Sequence, residues 1–136
     1  MMLRIALLLL FSTLAVADTA GEVLNVLTSA AEGLINDDSE SFLGSFDRNM
    51  PGYAALQDNV KGLLAAYNVG ATIEEITDEG DDRKRTVELD WLLILSQKGA
   101  ANSPQLTRRQ SVKCTLERRG KQWKITTLEP IDFFRY

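Results

Sequence analysis

The amino-acid sequence predicts an α+β fold in which three N-terminal helices pack on a curved antiparallel sheet of about four strands. Two observations carry this prediction. The spacing of apolar residues changes along the chain, from three or four residues before Gly70 to two residues after it. The segments with the two-residue period are joined by short connections, which are typical of antiparallel strands that lie side by side in one sheet.

Residues 1–17 predict a signal peptide that precedes the domain. Arg4 gives a positive start, a run of apolar residues follows, and small residues lead up to Ala17. Signal peptidase requires such small residues, so we expect cleavage between Ala17 and Asp18. Because the apolar run is short for a membrane span, an uncleaved anchor is only the alternative. Residues 18–136 are then expected to form one domain, secreted or periplasmic, with no membrane span after cleavage.

Three segments before Gly70 have helical patterns. Apolar residues between Gly21 and Ile35 form one broad stripe, which predicts an amphipathic helix. Asp37 and Glu40 resemble a capping box and are expected to open a short second helix. Pro51 is expected to start the third helix, where its fixed φ angle and missing N–H cost least. Gly70 is placed where a left-handed helix end would favour glycine.

Four segments after Gly70 alternate in the manner of strands. Residues 78–82 form a charged turn between the first two, a flexible loop follows the second, and Gly120 anchors a tight turn before the last. The predicted strands are residues 71–77, 83–96, 106–118 and 122–128.

Composition and charge exclude several classes of function. The chain has 15 basic and 19 acidic residues, a formal net charge of −4 at pH 7, and no histidine. An acidic protein repels phosphate backbones, so nucleic-acid binding is not expected. The basic pairs Arg108-Arg109 and Arg118-Arg119 are interpreted as solvated flanks of strands. The lack of histidine removes the usual general base and the commonest metal ligand.

Cys114 is the only cysteine, so an exported chain cannot form an internal disulfide and its fold must be stabilised by burial. The residue alternates with Val112 and Leu116, which predicts a small buried hydrophobe. A reactive thiol or an intermolecular disulfide is the alternative.

Three stretches carry a resemblance to a known superfamily. They are TVELDWLLIL at residues 86–95, VKCTLERRGKQWKI at residues 112–125 and EPIDFF at residues 129–134. With the order of three helices followed by strands, they resemble secreted bacterial members of the NTF2-like superfamily, including its SnoaL-like proteins, over residues 20–134. The resemblance implies a cone-shaped, cystatin-like α+β domain.

The resemblance leaves the function open, because the superfamily includes enzymes as well as binding and dimerisation modules. Its enzymes include ketosteroid isomerases, dehydratases, epoxide hydrolases and polyketide cyclases, which place acid–base residues inside the cone. Without histidine this chain cannot reproduce a His–Asp dyad. No metal-ligand spacing, phosphate loop or nucleophile elbow occurs in the sequence. We therefore expect a non-enzymatic binding or dimerisation module that uses no cofactor and no metal.

The face of the second strand on which Asp90 lies distinguishes this interpretation from an enzyme. Alternation places Trp91 and the other odd-numbered residues toward the helices, which puts Glu88 and Asp90 on the outer face, in a charge ladder with lysines of later strands. The alternative is an isomerase, dehydratase or cyclase-type enzyme with Asp90 as base and Tyr53 or Tyr67 as hydrogen-bond donor. It requires a bulge near residue 90 that turns the carboxylate inward.

The outer face of this strand ends in apolar residues, Leu92 and Ile94, and the alternation adds Leu128 to them. An exposed apolar patch on a sheet favours a partner, and the resemblance implies a homodimer through this face. The alternative is that the C-terminal residues 130–134 fold back and cover the patch.

Aromatic residues on the predicted inner faces define a candidate pocket for a small apolar ligand. Packing in the core explains the same residues equally well, because their spacing matches the buried faces. The candidate pocket residues are Phe42, Phe46, Tyr53, Tyr67 and Trp91.

Overall fold

The computed structural model describes the backbone of residues 2–136 and the side chains of residues 19–136. The predicted signal peptide, residues 1–17, and its cleavage position before Asp18 lie outside the residues whose side chains are described. Within the described part, no helix combines the length and the apolar character that crossing a bilayer requires.

Three helices form the N-terminal half of the chain, as predicted, but the first begins at Met2 and not at Gly21. Along the first helix the side chains of Val23, Leu27, Ala30 and Leu34 are almost fully buried, and their spacing of three or four residues makes one face of the helix part of the core. A short 3₁₀ helix, here called the C-terminal turn, follows the sheet. The elements are α1 (Met2–Ile35), α2 (Ser39–Leu43), α3 (Tyr53–Ala66) and the C-terminal turn (Ile131–Phe134).

The N-cap of α2 differs from the prediction by one residue. Asp38, not Asp37, caps the helix, because its carboxylate accepts a hydrogen bond from the Ser41 backbone N–H at 3.1 Å. Asp37 has a φ angle of 56°, the left-handed conformation that commonly follows a helix, and so belongs to the end of α1.

The predicted boundaries of α3 are also wrong at both ends. The N-cap is Gly52, with a φ angle of 80°, so Pro51 lies before the cap and not at the first helical position. The helix passes at Tyr67 directly into an extended backbone. Gly70 therefore lies inside a strand, opposite Ile94, and does not end the helix.

Four antiparallel strands form one sheet in the order of the chain, which confirms the predicted α+β class and the meander. Each strand begins at or within a few residues of its predicted start. The strands are β1 (Tyr67–Gly80), β2 (Lys84–Gln97), β3 (Leu106–Arg119) and β4 (Gln122–Glu129).

The sheet has one buried face and one open face. Odd-numbered side chains of β2, from Val87 to Leu95, are at most 2% exposed and belong to the core with the helices. We call this side the inner face. The opposite side, the outer face, carries the even-numbered residues of β2, which are half-buried from Thr86 to Ser96. The alternation predicted for this strand is confirmed.

Leu128 does not lie on the outer face, so that part of the predicted patch is wrong. A register shift in the β3–β4 pair places an extra residue, Thr126, in β4. Beyond the shift Leu128 lies opposite Cys114, and its side chain is 2% exposed. The extra residue moves Leu128 to the inner face.

Five aromatic side chains meet inside the fold and are here called the aromatic cluster. Ring centroids are 4.9 to 6.4 Å apart, several in edge-to-face arrangements. Two of the rings come from the C-terminal turn. The cluster consists of Phe42, Phe46, Trp91, Phe133 and Phe134.

The C-terminal turn packs on the helical side of the sheet. Phe133 and Phe134 are 2% and 0% exposed and contact Trp91 on the inner face. One Arg108 guanidinium nitrogen donates to the carbonyl oxygens of Phe133 and Arg135, each at 2.6 Å, and holds the segment in place. The alternative in which residues 130–134 cover Leu92 and Ile94 is therefore wrong.

Candidate functional site

Asp90 lies on the outer face and forms an ion pair with Arg109 of the neighbouring strand. The Arg109 Nε lies 3.0 Å from both carboxylate oxygens, and Nη2 lies 2.5 Å from Oδ2. These hydrogen bonds, with the positive charge of Arg109, hold the pKa of Asp90 below its ordinary value. A carboxylate in this state is a weak proton acceptor, unlike a buried general base.

Glu88 lies on the same outer face, two residues before Asp90 in β2. It lies opposite Lys113 in the register, and its carboxylate accepts a hydrogen bond from the Ser111 hydroxyl at 2.7 Å. Both acids thus lie in a polar ladder across β2 and β3, on the face where the sequence placed them. The nearest donors to the two carboxylates are an arginine and a serine, not the lysines that the pattern suggested.

The three side chains of the enzymatic alternative do not share one site. Tyr53 is the first residue of α3 and Tyr67 the first of β1, and both pack half-buried against the core. Asp90 is on the opposite side of the sheet, bonded to Arg109. The bulge in β1, between Glu75 and Thr77, leaves Asp90 on the outer face. The inward turn that the enzyme required does not occur.

The predicted aromatic pocket is divided between the core and a surface cleft. Phe42 and Trp91 are 0% and 1% exposed and pack within the aromatic cluster. The Trp91 indole N–H is buried and, among the described residues, has no hydrogen-bond acceptor. Tyr67 packs at the margin of the core. Phe46 and Tyr53 line an open cavity.

That cavity is a cleft of about 850 Å³ on the surface between α2, the start of α3 and the turn that joins β3 to β4. Its floor is apolar and its rim is charged. We call it the α2–α3 cleft. It is lined by Ser39, Glu40, Leu43, Gly44, Phe46, Asp47, Arg48, Asn49, Tyr53, Gln57, Lys61, Arg119 and Lys124.

Four cations and two carboxylates lie along the α2–α3 cleft. An Arg119 nitrogen lies 3.1 Å from the Asp47 carboxylate, and the Lys124 ammonium donates to the carbonyl oxygen of Gly44. Within the described part of the chain, Arg48 and Lys61 have neither an ion pair nor a hydrogen bond through their side chains. The cleft therefore has two anchored cations and two that are unengaged.

Asp47 is held in its ionised form. The backbone N–H of Asn49 donates to its carboxylate at 2.8 Å, and this bond, followed by the one from Arg119, keeps the pKa of Asp47 below its ordinary value. The lowered pKa makes Asp47 a poor proton donor, and its carboxylate accepts a hydrogen bond from Arg119 at the cleft.

Local sequence patterns do not predict this cleft. Arg119 belongs to a basic pair that is typical of a solvated strand flank, and Arg48 and Lys61 are single charges in segments with no motif. They come together only because α2 and the β3–β4 turn lie side by side in the fold.

Cys114 is a buried hydrophobe, as its alternation predicted. It is 0% exposed, and burial raises the pKa of its thiol to about 12. The thiolate is therefore scarce at neutral pH, which argues against the alternative of a reactive thiol.

Within the residues that the structure describes, no group of three or more histidine, cysteine, aspartate or glutamate side chains could hold a metal ion.

Leu92 and Ile94 lie in the middle of the outer face. Their side chains are half-buried between the flanking strands, and Leu92 lies between Thr72 of β1 and Arg109 of β3. The flanking side chains are exposed. Because Gly70 has no side chain beside Ile94, the apolar pair is open toward β1.

No protein-family model matches the sequence, and no curated protein matches it. Solved structures do match. One from Novosphingobium aromaticivorans DSM 12444, provisionally named a scytalone dehydratase, has a TM-score of 0.73 at 13% identity, covering 82% of this chain and 85% of its own. A hexachlorocyclohexane dehydrochlorinase of type 2 gives 0.65 at 13% identity, covering 82% and 83%.

An NTF2-like protein of unknown function from Shewanella oneidensis MR-1 has a TM-score of 0.61 at 12% identity, covering 80% of this chain and 95% of its own. At such identities the likeness concerns the fold alone, since related folds serve unrelated functions. The protein has the NTF2-like fold that the sequence resemblance implied.

Proposed function

We propose that the protein is an exported, non-catalytic module that forms a homodimer through the outer face of its sheet. The observation that carries the proposal is the position of Leu92 and Ile94, two apolar side chains on a central strand whose flanking residues are exposed. Isolated apolar residues on a surface need no explanation, but a pair in the centre of an open sheet favours a covering surface. Export follows from the predicted signal peptide, residues 1–17.

A second copy of the chain is the occupant that the charges of the outer face favour. Glu74 lies on the β1 side of the apolar pair, and Arg109 and Lys113 lie on the β3 side. A two-fold axis parallel to β2 would bring the basic side of each copy over the acidic side of the other. The same axis would place Leu92 and Ile94 of the two copies against each other.

The absence of catalysis is supported by the state of the carboxylates. Asp90 is paired with Arg109 and its pKa is lowered, whereas a general base in this kind of site works with a raised pKa in an enclosed apolar environment. The inner face, where such an environment would lie, is filled by the aromatic cluster.

The proposal is tested by Leu92→Lys. A lysine at the centre of the interface would bury an unpaired charge in the dimer but would be well solvated in the monomer. We expect wild-type protein to scatter light as a dimer at micromolar concentration and Leu92→Lys to scatter as a monomer. Circular dichroism should show the same fold for both.

Thr28→Lys is the matched control, because it adds the same charge at an exposed position of α1. It should remain dimeric. A monomeric wild type at about 100 μM, a concentration far above the Kd of stable dimers, would contradict the proposal. So would a Leu92→Lys protein that dimerises as strongly as Thr28→Lys.

A further inference from the structure

We propose that the α2–α3 cleft binds an organic anion, a molecule with one carboxylate-type head and an apolar body. This inference is independent of dimerisation, because it rests on a different surface. It differs from the small apolar ligand that the aromatic residues suggested, since the inner face is packed and the open cavity is charged.

One wall of the cleft is held firmly to the sheet. The backbone N–H of Asp47 donates to the Ile125 carbonyl at 2.9 Å, and the Ile125 N–H donates to the Ser45 carbonyl at 2.8 Å. Phe46 forms a parallel bridge with Ile125 through these bonds. The segment after α2 thus extends the sheet beyond β4, and the cleft keeps its shape without a ligand. A preformed cavity lowers the cost of binding.

The charges of the cleft favour an anion. Asp47 is already engaged by Arg119, so the remaining carboxylate of the lining is Glu40, against the unengaged cations Arg48 and Lys61. This excess of positive charge occurs in a chain with a formal net charge of −4. Both free side chains are long and exposed, and they can move onto a ligand head without breaking an existing bond.

The floor of the cleft indicates the body of the ligand. Leu43 and Phe46, which are 6% and 3% exposed, lie at its base, and the half-buried Tyr53 also lines it. Apolar atoms under a charged rim match a ligand whose head and body differ in polarity. The Tyr53 hydroxyl and the Gln57 amide have no side-chain partner in the described part of the chain and can bond to a ligand oxygen.

A series of three probes with one apolar body tests the inference. 4-Phenylbutanoate carries a negative head, 4-phenylbutanol a neutral head and 4-phenylbutylamine a positive head. By isothermal titration calorimetry of the purified protein, we expect the acid to bind about tenfold or more tightly than the alcohol, since a hydrogen bond to a charged head is stronger than one to a neutral head. The amine should bind most weakly.

Variants locate the site. Replacing both free cations, in Arg48→Gln with Lys61→Gln, should weaken binding of the acid by about tenfold or more. The matched control is Arg83→Gln with Lys84→Gln, which removes the same charge from exposed positions at the β1–β2 turn. This control should bind the acid like the wild type.

Three results would overturn the inference. The first is equal affinity for the acid and the alcohol. The second is an equal loss of affinity in the two double variants, which would indicate a nonspecific effect of net charge. The third is no heat of binding with 4-phenylbutanoate at millimolar concentration. These three results do not test the dimer, which is tested separately by light scattering of the wild type and of Leu92→Lys.

Discussion

Asp90 is the base of the enzymatic alternative, and its ion pair with Arg109 argues against that role. Arg109 presents two nitrogens to the carboxylate, the planar arrangement that arginine forms with acids. An exposed ion pair of this kind stabilises a fold only modestly, since water and salt screen it. Its main consequence is chemical, because it lowers the pKa of Asp90 and so makes the carboxylate a weaker base.

The pH dependence of Asp90 follows from this pairing. The folded pKa lies below the ordinary aspartate value of 3.8, so the stabilisation is present above pH 3.8 and is lost as the pH falls through the folded pKa. We expect a carbon-detected NMR titration of the Asp90 carboxyl group to give a pKa below 3.8. Arg109→Gln should raise it toward that value.

Lys113→Gln provides the control for this titration, because it removes a cation from the same strand without touching the hydrogen bonds to Asp90. It should leave the pKa of Asp90 below 3.8. An Asp90 pKa above 3.8 in the wild type would contradict the prediction, because it would show that desolvation outweighs the ion pair with Arg109.

Strand β4 is where the predicted alternation of inner and outer side chains fails. Alternation holds through β2 because its register is continuous, but Thr126 interrupts the register of β4 and moves Leu128 to the inner face. A signal was present in the sequence: the apolar positions change from odd at Trp123 and Ile125 to even at Leu128. A bulge is the simplest reason for such a change within one strand.

The C-terminal turn is the element whose role the sequence predicted least well. It packs two phenylalanine rings on Trp91 and completes the core. We expect Phe134→Ala to lower the free energy of unfolding by about 3–5 kcal/mol, because it removes a fully buried aromatic ring and leaves a cavity. Urea denaturation followed by circular dichroism measures this loss.

Asp132→Ala is the control within the same turn, since Asp132 is exposed. Its effect should stay within about 0.5 kcal/mol, as for most surface substitutions. If Phe134→Ala cost no more than Asp132→Ala, the turn would not be part of the cooperative core.

For the whole molecule, local patterns predicted the order of the helices and strands, the antiparallel sheet and the two faces of β2. These features depend on periodicity and on short connections, which are visible in short segments of the sequence. The aromatic cluster and the α2–α3 cleft depend instead on contacts between segments far apart in the chain. Phe134 contacts Trp91 from the end of the chain, and Arg119 bonds to Asp47 across a sequence separation of 72 residues. No local sequence pattern predicts such long-range contacts.

Two tryptophans report on two regions of the fold. Trp91 lies in the aromatic cluster, whereas Trp123 joins the hairpin to α1: its indole N–H donates to the Glu22 carboxylate at 3.0 Å, and the Arg118 guanidinium lies 4.8 Å from its ring centroid. Because the buried residues of helices and sheet form one continuous cluster, both regions should unfold in a single cooperative step.

Single-tryptophan variants test this cooperativity. In Trp123→Phe the fluorescence comes from Trp91, and in Trp91→Phe it comes from Trp123. In each variant, at one fixed protein concentration, we expect the fluorescence and the far-ultraviolet circular dichroism to give the same urea midpoint. Each variant is compared only with itself, so a change in its overall stability does not affect the result. If the Trp91 signal changed at a lower urea concentration than the dichroism, the C-terminal turn would detach before the rest of the core unfolds.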